Sequence, residues 1–150
     1  MSESPATPDA IYEALLQIAI IDQLASTAFE RVLPDGLKLS QFGLLSHLSR
    51  MGGQWSPARL ANAMQVTRGA ITNTIHRLEK RGLVAIEADP SDGRGKLVSI
   101  TPAGTRMQKK AVETALPHFA FLSERFSQAD MMTALPFLNA LRESLDRARD

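Results

Sequence analysis

The sequence predicts a mainly helical protein with one small β-hairpin. Apolar residues recur at helical spacing over most of the 150-residue chain. The pattern changes to alternation only in one short region, on both sides of a segment rich in turn-forming residues. No apolar run reaches the roughly 18 residues that a membrane-spanning helix needs. We therefore expect one globular structure of helices with a small β appendage and no membrane partner.

The N-terminal third predicts two helices. A loose polar tail covers residues 1–8, and a long helix follows from about Asp9. This helix is apolar around most of its circumference, so we expect other helices or another chain to cover it on more than one side. It ends before the breaker cluster Leu33-Pro34-Asp35-Gly36. Ser40 is the expected N-cap of the second helix, which ends at Met51-Gly52-Gly53.

Two short helices come next. Ser56-Pro57 provides an N-cap serine and a proline at the first helical position. After a turn at Gln65-Val66, Thr67 is expected to cap a helix that runs to Arg81 and closes at Gly82. The positions expected to face inwards are Ala70, Ile71, Thr74, Ile75 and Leu78. The positions expected to face outwards are Thr67, Arg68, Gly69, Thr72, Asn73, His76 and Arg77.

The hairpin is predicted from two short strands, Leu83 to Ala88 and Lys96 to Ile100. Between them lies Asp89-Pro90-Ser91-Asp92-Gly93-Arg94-Gly95, which is turn-forming throughout. Trp55 is expected to add a short strand to this hairpin and to act as a packing residue. A helix from Thr101-Pro102 to about Phe126, kinked at Pro117, should follow. A last helix should start at Ser127 and bend at Pro136.

This order of elements is the plan of a winged helix-turn-helix. In that plan the second of two steeply packed helices enters the DNA major groove, and the hairpin reaches over the phosphate backbone as a β-wing. Residues 56–106 carry eight basic and four acidic side chains, although the whole chain has a net charge of only +1. A positive middle segment favours a polyanionic partner. We therefore expect double-stranded DNA as the partner, although the same polar face could simply be solvated.

The chain resembles the MarR family of transcriptional regulators over roughly residues 9–148. The motifs that carry the resemblance are Leu39-Ser40-Gln41-Phe42, Leu60-Ala61, Leu78-Glu79-Lys80-Arg81-Gly82-Leu83-Val84, Asp92-Gly93-Arg94-Gly95-Lys96 and Leu97-Val98-Ser99-Ile100-Thr101-Pro102-Ala103-Gly104. The resemblance implies a mainly α fold with a small β-wing and terminal dimerisation helices. It also implies a homodimer that binds a pseudo-palindromic operator, as a repressor in most of the family.

The resemblance also implies a division of the chain and of its contacts. Residues 9–35 and 105–150 would form the dimerisation region, and residues 36–104 the DNA-binding region, within one structural domain overall. The implied DNA-binding residues are Thr67, Arg68, Gly69, Thr72, Asn73, His76, Arg77, Arg94 and Lys96. Arg94 would enter the minor groove. Asp92 would orient the wing through a salt bridge to an arginine.

Asn73 occupies a position where relatives often have arginine. Asparagine pairs well with adenine and arginine with guanine, so we expect a different operator preference.

Relatives often release DNA when a small aromatic or phenolic effector binds. The residues that could line an effector pocket here are Gln23, Phe42, His47, Arg50 and Met51. Arg50 is the natural partner for a carboxylate. It could equally be a surface residue that stabilises the C-terminus of its own helix.

Several classes of function are not expected. The chain has no cysteine, which excludes disulfides, thiolate catalysis and thiol-based sensing. It has no phosphate-binding loop and no hydrolase or metalloprotease motif, so we expect neither an enzyme nor a cofactor. His47 and His118 are isolated and predict no metal site. The N-terminus lacks the features of a secretory signal, so the cytoplasm is the expected location. The alternative function is a winged-helix protein-interaction module without specific DNA binding.

Overall fold

The computed structural model describes residues 3–149 and is mainly helical, with one two-stranded antiparallel sheet. The elements in chain order are α1 (Pro8–Val32), α2 (Leu39–Met51), α3 (Pro57–Met64), α4 (Arg68–Lys80), β1 (Val84–Ala88), β2 (Lys96–Ile100), α5 (Pro102–Ala115), the 3₁₀-helix η1 (Leu116–Glu124) and α6 (Gln128–Arg147). The predicted class, helices with a small β-wing, is confirmed.

The chain divides into two compact units, Met1–Ala115 and Leu116–Asp150. The first unit contains α1 to α5 and the sheet, and it has a single apolar core. The fully buried large side chains of this core come from α2, α3, α4 and both strands, and they are Leu44, Leu45, Leu48, Leu60, Leu78, Val84 and Val98. The core therefore anchors α4 and the wing to the same set of helices.

Side-chain caps explain where most helices begin. The hydroxyl of Ser56 accepts a hydrogen bond from the Arg59 N–H at 3.2 Å, and Pro57 occupies the first helical position, as predicted. The prediction of Ser40 as the N-cap of α2 is wrong, because that position belongs to Lys38. The buried Gln41 side chain accepts the Lys38 N–H at 3.1 Å, which starts the helix two residues earlier.

The sheet is joined closely to α5. Its register runs from Val84 opposite Ile100 to Ala88 opposite Lys96. Gly104, in the first turn of α5, lies against the turn before β1. A Cβ atom there would overlap the Leu83 carbonyl oxygen and lie 2.7 Å from Ile100 Cγ1. Glycine at this position therefore permits the close approach of the helix to the hairpin.

The second unit consists of η1 and α6. The prediction of one kinked helix to about Phe126 is wrong, because α5 ends at Ala115 and a 3₁₀-helix follows. Pro117 has no N–H to donate, and its ring disfavours a continuing α-helix. The Ser127 hydroxyl accepts from the Asp130 N–H at 3.1 Å and caps α6, as predicted. The helix runs through Pro136.

Apolar side chains are exposed over much of the terminal helices. Within residues 116–149 no side chain is buried. The exposed large apolar residues of this unit include Leu116, Phe121, Phe126, Met132, Phe137 and Leu145. Helix α1 likewise exposes Tyr12, Ile21 and Leu24. No helix among residues 3–149 is both long and apolar enough to span a membrane.

Candidate nucleic-acid interface

Helix α4 is positioned by its cap and by its buried face. The Thr67 hydroxyl accepts the Ala70 N–H at 3.1 Å, and Arg81 ends the helix as its C-cap. Gln65, in a left-handed conformation with φ of 53°, makes the tight turn from α3. The apolar side of α4 packs into the core through Ile71, Ile75 and Leu78. The opposite side is therefore left free to meet a ligand.

The exposed face of α4 carries the residues expected there. The structure exposes Thr67, Arg68, Gly69, Thr72, Asn73, His76 and Arg77. Ala70, which was expected to face inwards, is exposed as well. It lies in the first turn, one turn ahead of the buried Thr74. The N-terminus of α4 adds a partial positive charge to this surface.

The wing tip is a closed turn rather than an open loop. The Asp89 N–H donates to the Gly95 carbonyl at 2.9 Å, and the Gly95 N–H donates to the Asp92 carbonyl at 2.9 Å. The Asp89 carboxylate accepts the Ser91 hydroxyl at 2.7 Å and the Ser91 N–H at 2.9 Å. These bonds from Ser91, its hydroxyl above all, lower the pKa of Asp89. The turn holds Arg94 exposed at its end.

Asp92 supports the wing in a way that the sequence did not predict. Among residues 3–149 no ion pair joins Asp92 to an arginine, so the expected salt bridge is wrong. Instead its carboxylate accepts the Arg94 N–H at 3.1 Å, two residues along the chain. This local turn is favoured by aspartate because the short side chain reaches the backbone at that distance. Asp92 therefore sets the direction of the Arg94 backbone.

A cleft of about 510 Å³ lies between α4 and the wing. The basic side chains that line it are Arg68 and His76 from α4 and Arg94 and Lys96 from the wing. Thr72 also lines it, so the cleft brings together five of the nine predicted DNA-binding residues. Asp89 and Asp92 lie on its wing side. The surface around the cleft is thus basic, with two acidic groups already engaged in the wing turn.

Trp55 joins the wing to the helices, as predicted for a packing residue. It pairs with Val98 through two backbone hydrogen bonds of 2.8 and 2.9 Å. Its indole N–H donates to the Gly52 carbonyl at 2.8 Å. The Arg59 guanidinium lies 4.4 Å from the indole ring centre, and the His47 ring contacts the indole at 4.8 Å. The wing is therefore anchored on the side away from its tip.

The C-terminal end of α4 is held by a contact that sequence reasoning missed. Arg81 donates to the Asp35 carbonyl at 3.0 Å, and Lys110 of α5 pairs with the Asp35 carboxylate at 2.7 Å. Asp35 adopts a left-handed conformation, with φ of 57°. Only the turn residues Asp35-Gly36 signalled an unusual backbone there, since partners so far apart in sequence leave no local pattern.

Two exposed residues of α4 are hydrogen-bonded to each other. Arg77 Nε donates to Asn73 Oδ1 at 3.3 Å, one helical turn away. Beside them, His76 Nδ1 lies 4.0 Å from Glu79 Oε1. The outward face of the helix is therefore partly organised before any ligand arrives.

The residues expected in an effector pocket do not all come together. His47 and Arg50 line a cleft of about 600 Å³ among α2, α3 and α5, whereas Gln23, Phe42 and Met51 do not. Phe42 stacks on Phe29 with ring centres 5.6 Å apart. The other residues of the cleft are Gly43, Ser46, Ser49, Ala63, Met64 and Gln108. Of these, Gly43 and Ser46 could have been found from the sequence, because they share a helical stripe with His47 and Arg50.

The polar groups of this cleft are incompletely paired. Ser46 Oγ and His47 Nε2 are buried, and neither has a hydrogen-bond partner among residues 3–149. Burial and the nearby Arg50 charge lower the pKa of His47. In the described part of the chain, no group of three or more histidine, aspartate or glutamate side chains could hold a metal ion.

Known proteins share both the sequence pattern and the fold. Residues 35–95 match the model of the MarR family. The putative transcriptional regulatory protein for the hcr operon of Thauera aromatica is 28% identical over 125 residues, which are 83% of this chain and 73% of that protein. The transcriptional regulator BldR from Sulfolobus solfataricus superimposes with a TM-score of 0.74 at 26% identity, covering 95% of this chain and 99% of BldR.

A further solved structure of similar fold is that of a DNA-binding protein regulated by a small molecule. BpsR of Bordetella bronchiseptica superimposes with a TM-score of 0.66 at 26% identity, over 87% of this chain and 98% of BpsR. Its structure concerns the regulation of BpsR DNA binding by 6-hydroxynicotinic acid.

Proposed function

We propose that this chain, whose residues 35–95 match the model of the MarR family, is a winged helix-turn-helix transcriptional regulator that binds a pseudo-palindromic operator as a homodimer and represses transcription. The observation that carries the proposal is the exposed polar and basic face of α4 beside a wing tip that presents Arg94. Binding to chromosomal DNA would take place in the cytoplasm.

The dimensions of DNA support these contacts. The major groove is about 12 Å wide and admits one helix, so α4 would enter it with its capped N-terminus towards the bases. Arg94 stands between two glycines at the wing tip. A slender tip of this kind, with a single guanidinium, suits the narrow and electronegative minor groove. Lys96 and Arg68 would then contact phosphates on either side.

The dimer is supported by the apolar residues that a single unit leaves exposed. Phe121 and Phe137 in the second unit and Ile21 in α1 are each about 60% exposed. Apolar patches of this kind on a soluble protein mark an interaction surface. A second copy of the chain is the expected partner, since a two-fold dimer would present two α4 helices to successive major grooves.

An effector would act through the cleft that contains His47 and Arg50. A guanidinium beside serine hydroxyls and Gln108 suits the carboxylate of a small aromatic acid, or a phenol. The regulation of BpsR by 6-hydroxynicotinic acid supports this chemical class. Binding would release DNA if it changed the spacing of the two α4 helices, which is a coupling between two sites.

Selection of bound sequences from a random duplex pool tests the proposal. The expected result is an inverted repeat with half-site centres about ten base pairs apart. Arg94→Ala should weaken binding and reduce the salt slope by about one, because each phosphate or groove cation releases about one counterion. Arg31→Ala, at the end of α1, is the matched control and should change neither. If the folded dimer selects no sequence, the interaction-module alternative is favoured.

The release of DNA by an effector is tested separately, on the complex of the protein with the selected operator. Benzoate, 4-hydroxybenzoate and 6-hydroxynicotinic acid are added in turn to the complex, and DNA release is followed. Arg50→Gln should keep operator affinity and lose the release. Release that is identical in the variant would contradict a role for Arg50.

A further inference from the structure

The exposed face of α4 contains an amide that is hydrogen-bonded to a neighbouring guanidinium. Asn73 Oδ1 accepts a hydrogen bond from Arg77 Nε at 3.3 Å. Both side chains are exposed and lie one turn apart on the face that meets DNA in the proposed function. Among residues 3–149 no carboxylate pairs with Arg77, so the Asn73 amide is the partner of its Nε–H.

The chemistry of the two groups determines which end of the amide faces away. A guanidinium can only donate hydrogen bonds, so it can bind the oxygen of the amide and not the nitrogen. The bond uses one of the two lone pairs of Oδ1 and places a positive charge beside it, whereas both hydrogens of Asn73 Nδ2 stay available. An asparagine without such a neighbour can present its NH₂ donor and its oxygen acceptor to a base equally well.

This difference decides which base edge the side chain fits. Adenine presents N7 as an acceptor and N6–H₂ as a donor, so its recognition uses both ends of an asparagine. Guanine presents two neighbouring acceptors, N7 and O6. An asparagine whose oxygen already accepts from a guanidinium is a poorer acceptor for the adenine N6–H₂. The positive charge of Arg77 also favours the electronegative guanine edge.

We propose that Arg77 is a positioning residue that makes Asn73 select guanine rather than adenine in the operator. The proposal rests on operator binding by α4 and goes beyond it by naming the base and the residue that determines the choice. Arg77 acts here through Asn73. Its remaining N–H groups stay available for a phosphate, and that contact would be independent of sequence.

The test is a set of affinities for all single-base variants of the selected half-site. Asn73→Ala should remove discrimination at one base pair, which identifies the position that Asn73 reads. The wild-type protein should prefer guanine over adenine there by about five-fold or more. Arg77→Ala should reduce this preference below about two-fold or reverse it, because the oxygen, without the guanidinium beside it, becomes a better acceptor for the adenine N6–H₂.

A matched variant and a stability measurement separate the positioning role of Arg77 from a general loss of DNA affinity or of folding. Arg68→Ala removes another exposed arginine of α4 that lines the wing cleft and has no bond to Asn73. It should lower affinity for all sequences alike and leave the base preference unchanged. Thermal unfolding of Arg77→Ala should match that of the wild-type protein, which excludes a folding defect.

Two results would overturn the inference. One is a wild-type preference for adenine at the position that Asn73→Ala identifies. The other is an unchanged base preference in Arg77→Ala, with only a uniform loss of affinity. Failure of operator binding itself would look different, since the wild-type protein would then select no sequence from the pool.

Discussion

The two units of this chain are built from similar helices but complete their cores differently. In the first unit, Leu44, Leu60 and Leu78 are fully buried by neighbours from the same chain. In the second, η1 and α6 expose Phe121 and Phe137 by about 60%. Burial of apolar surface is the main stabilising contribution to folding. The comparison shows that the first unit buries a core of its own, whereas the second leaves its large apolar side chains exposed.

The largest expected change is a loss of stability at Gly104, where α5 lies against the hairpin. Gly104→Ala places a Cβ against the Leu83 carbonyl oxygen, where there is no room for it. We expect a loss of about 3 kcal/mol in the free energy of unfolding, because overpacked sites force the backbone to move. Thermal unfolding should show a midpoint lower by roughly 6–12 °C.

Gly69→Ala is the control for that change. A Cβ at position 69 meets no atom within 4 Å, so alanine there should stabilise α4 by about 0.5 kcal/mol. An equal loss of stability in both variants would contradict the close packing of α5 on the hairpin.

The second prediction concerns the exposed apolar face of α6. Phe137→Glu should raise the dissociation constant of the proposed dimer by about 100-fold, because a charge would be buried in an apolar contact. Light scattering over a range of protein concentrations measures this. Asn139→Glu adds the same charge two residues away, on a different side of the helix, and should leave the mass unchanged. A dimer unaffected by Phe137→Glu would show that another surface joins the two copies.

Equivalent caps allow the two units to be compared directly. The hydroxyls of Thr67 and Ser127 each accept a backbone N–H at 3.1 Å, at the start of α4 and α6. Thr67→Ala and Ser127→Ala should each cost about 1 kcal/mol in the free energy of unfolding, measured by urea denaturation. Thr67→Ser and Ser127→Thr keep the hydroxyl and serve as controls. No effect of Ser127→Ala would indicate that something other than the cap holds the first turn of α6.

The smallest expected effect is the response of the first unit to acid. Burial and Arg50 lower the pKa of His47 in the folded protein, so the unfolded chain binds its proton more readily. The resulting stability is present above the ordinary histidine pKa of 6.5 and is lost as the pH falls through the lower folded value. Urea denaturation at several pH values should show this decline, and His47→Gln should reduce it. His118→Gln, on η1, is the control, and a decline that persists unchanged in His47→Gln contradicts the assignment.

Local signals explain why much of the fold could be predicted from the sequence. Ser56-Pro57, Thr67 and Ser127 mark helix starts through bonds that span only three residues. The wing was predictable because the chemistry of Asp89 to Gly95 is that of a turn. The exposed face of α4 followed from helical periodicity, with Ala70 as the exception.

The remaining features depend on partners that are distant in the sequence. The contact of Arg81 and Lys110 with Asp35 joins three segments that no local pattern connects. Which residues line the cleft of His47 and Arg50 depends on how α5 crosses α2, so Gln108 could not be named in advance. The carboxylate of Asp92 differs from the prediction in the opposite way, because its partner is local: it accepts the backbone N–H of Arg94, two residues along the chain.

The position of Trp55 gives the protein an optical reporter of its own. It is the single tryptophan of the chain, so all indole fluorescence comes from one place. The ring lies beside His47 and under the Arg59 guanidinium, while its backbone is hydrogen-bonded to β2. The pairing of Trp55 with Val98 joins segments far apart in the sequence and should form late in folding, after the local helices and hairpin. The emission of Trp55 therefore distinguishes a chain whose helices have formed from one whose wing is seated on them.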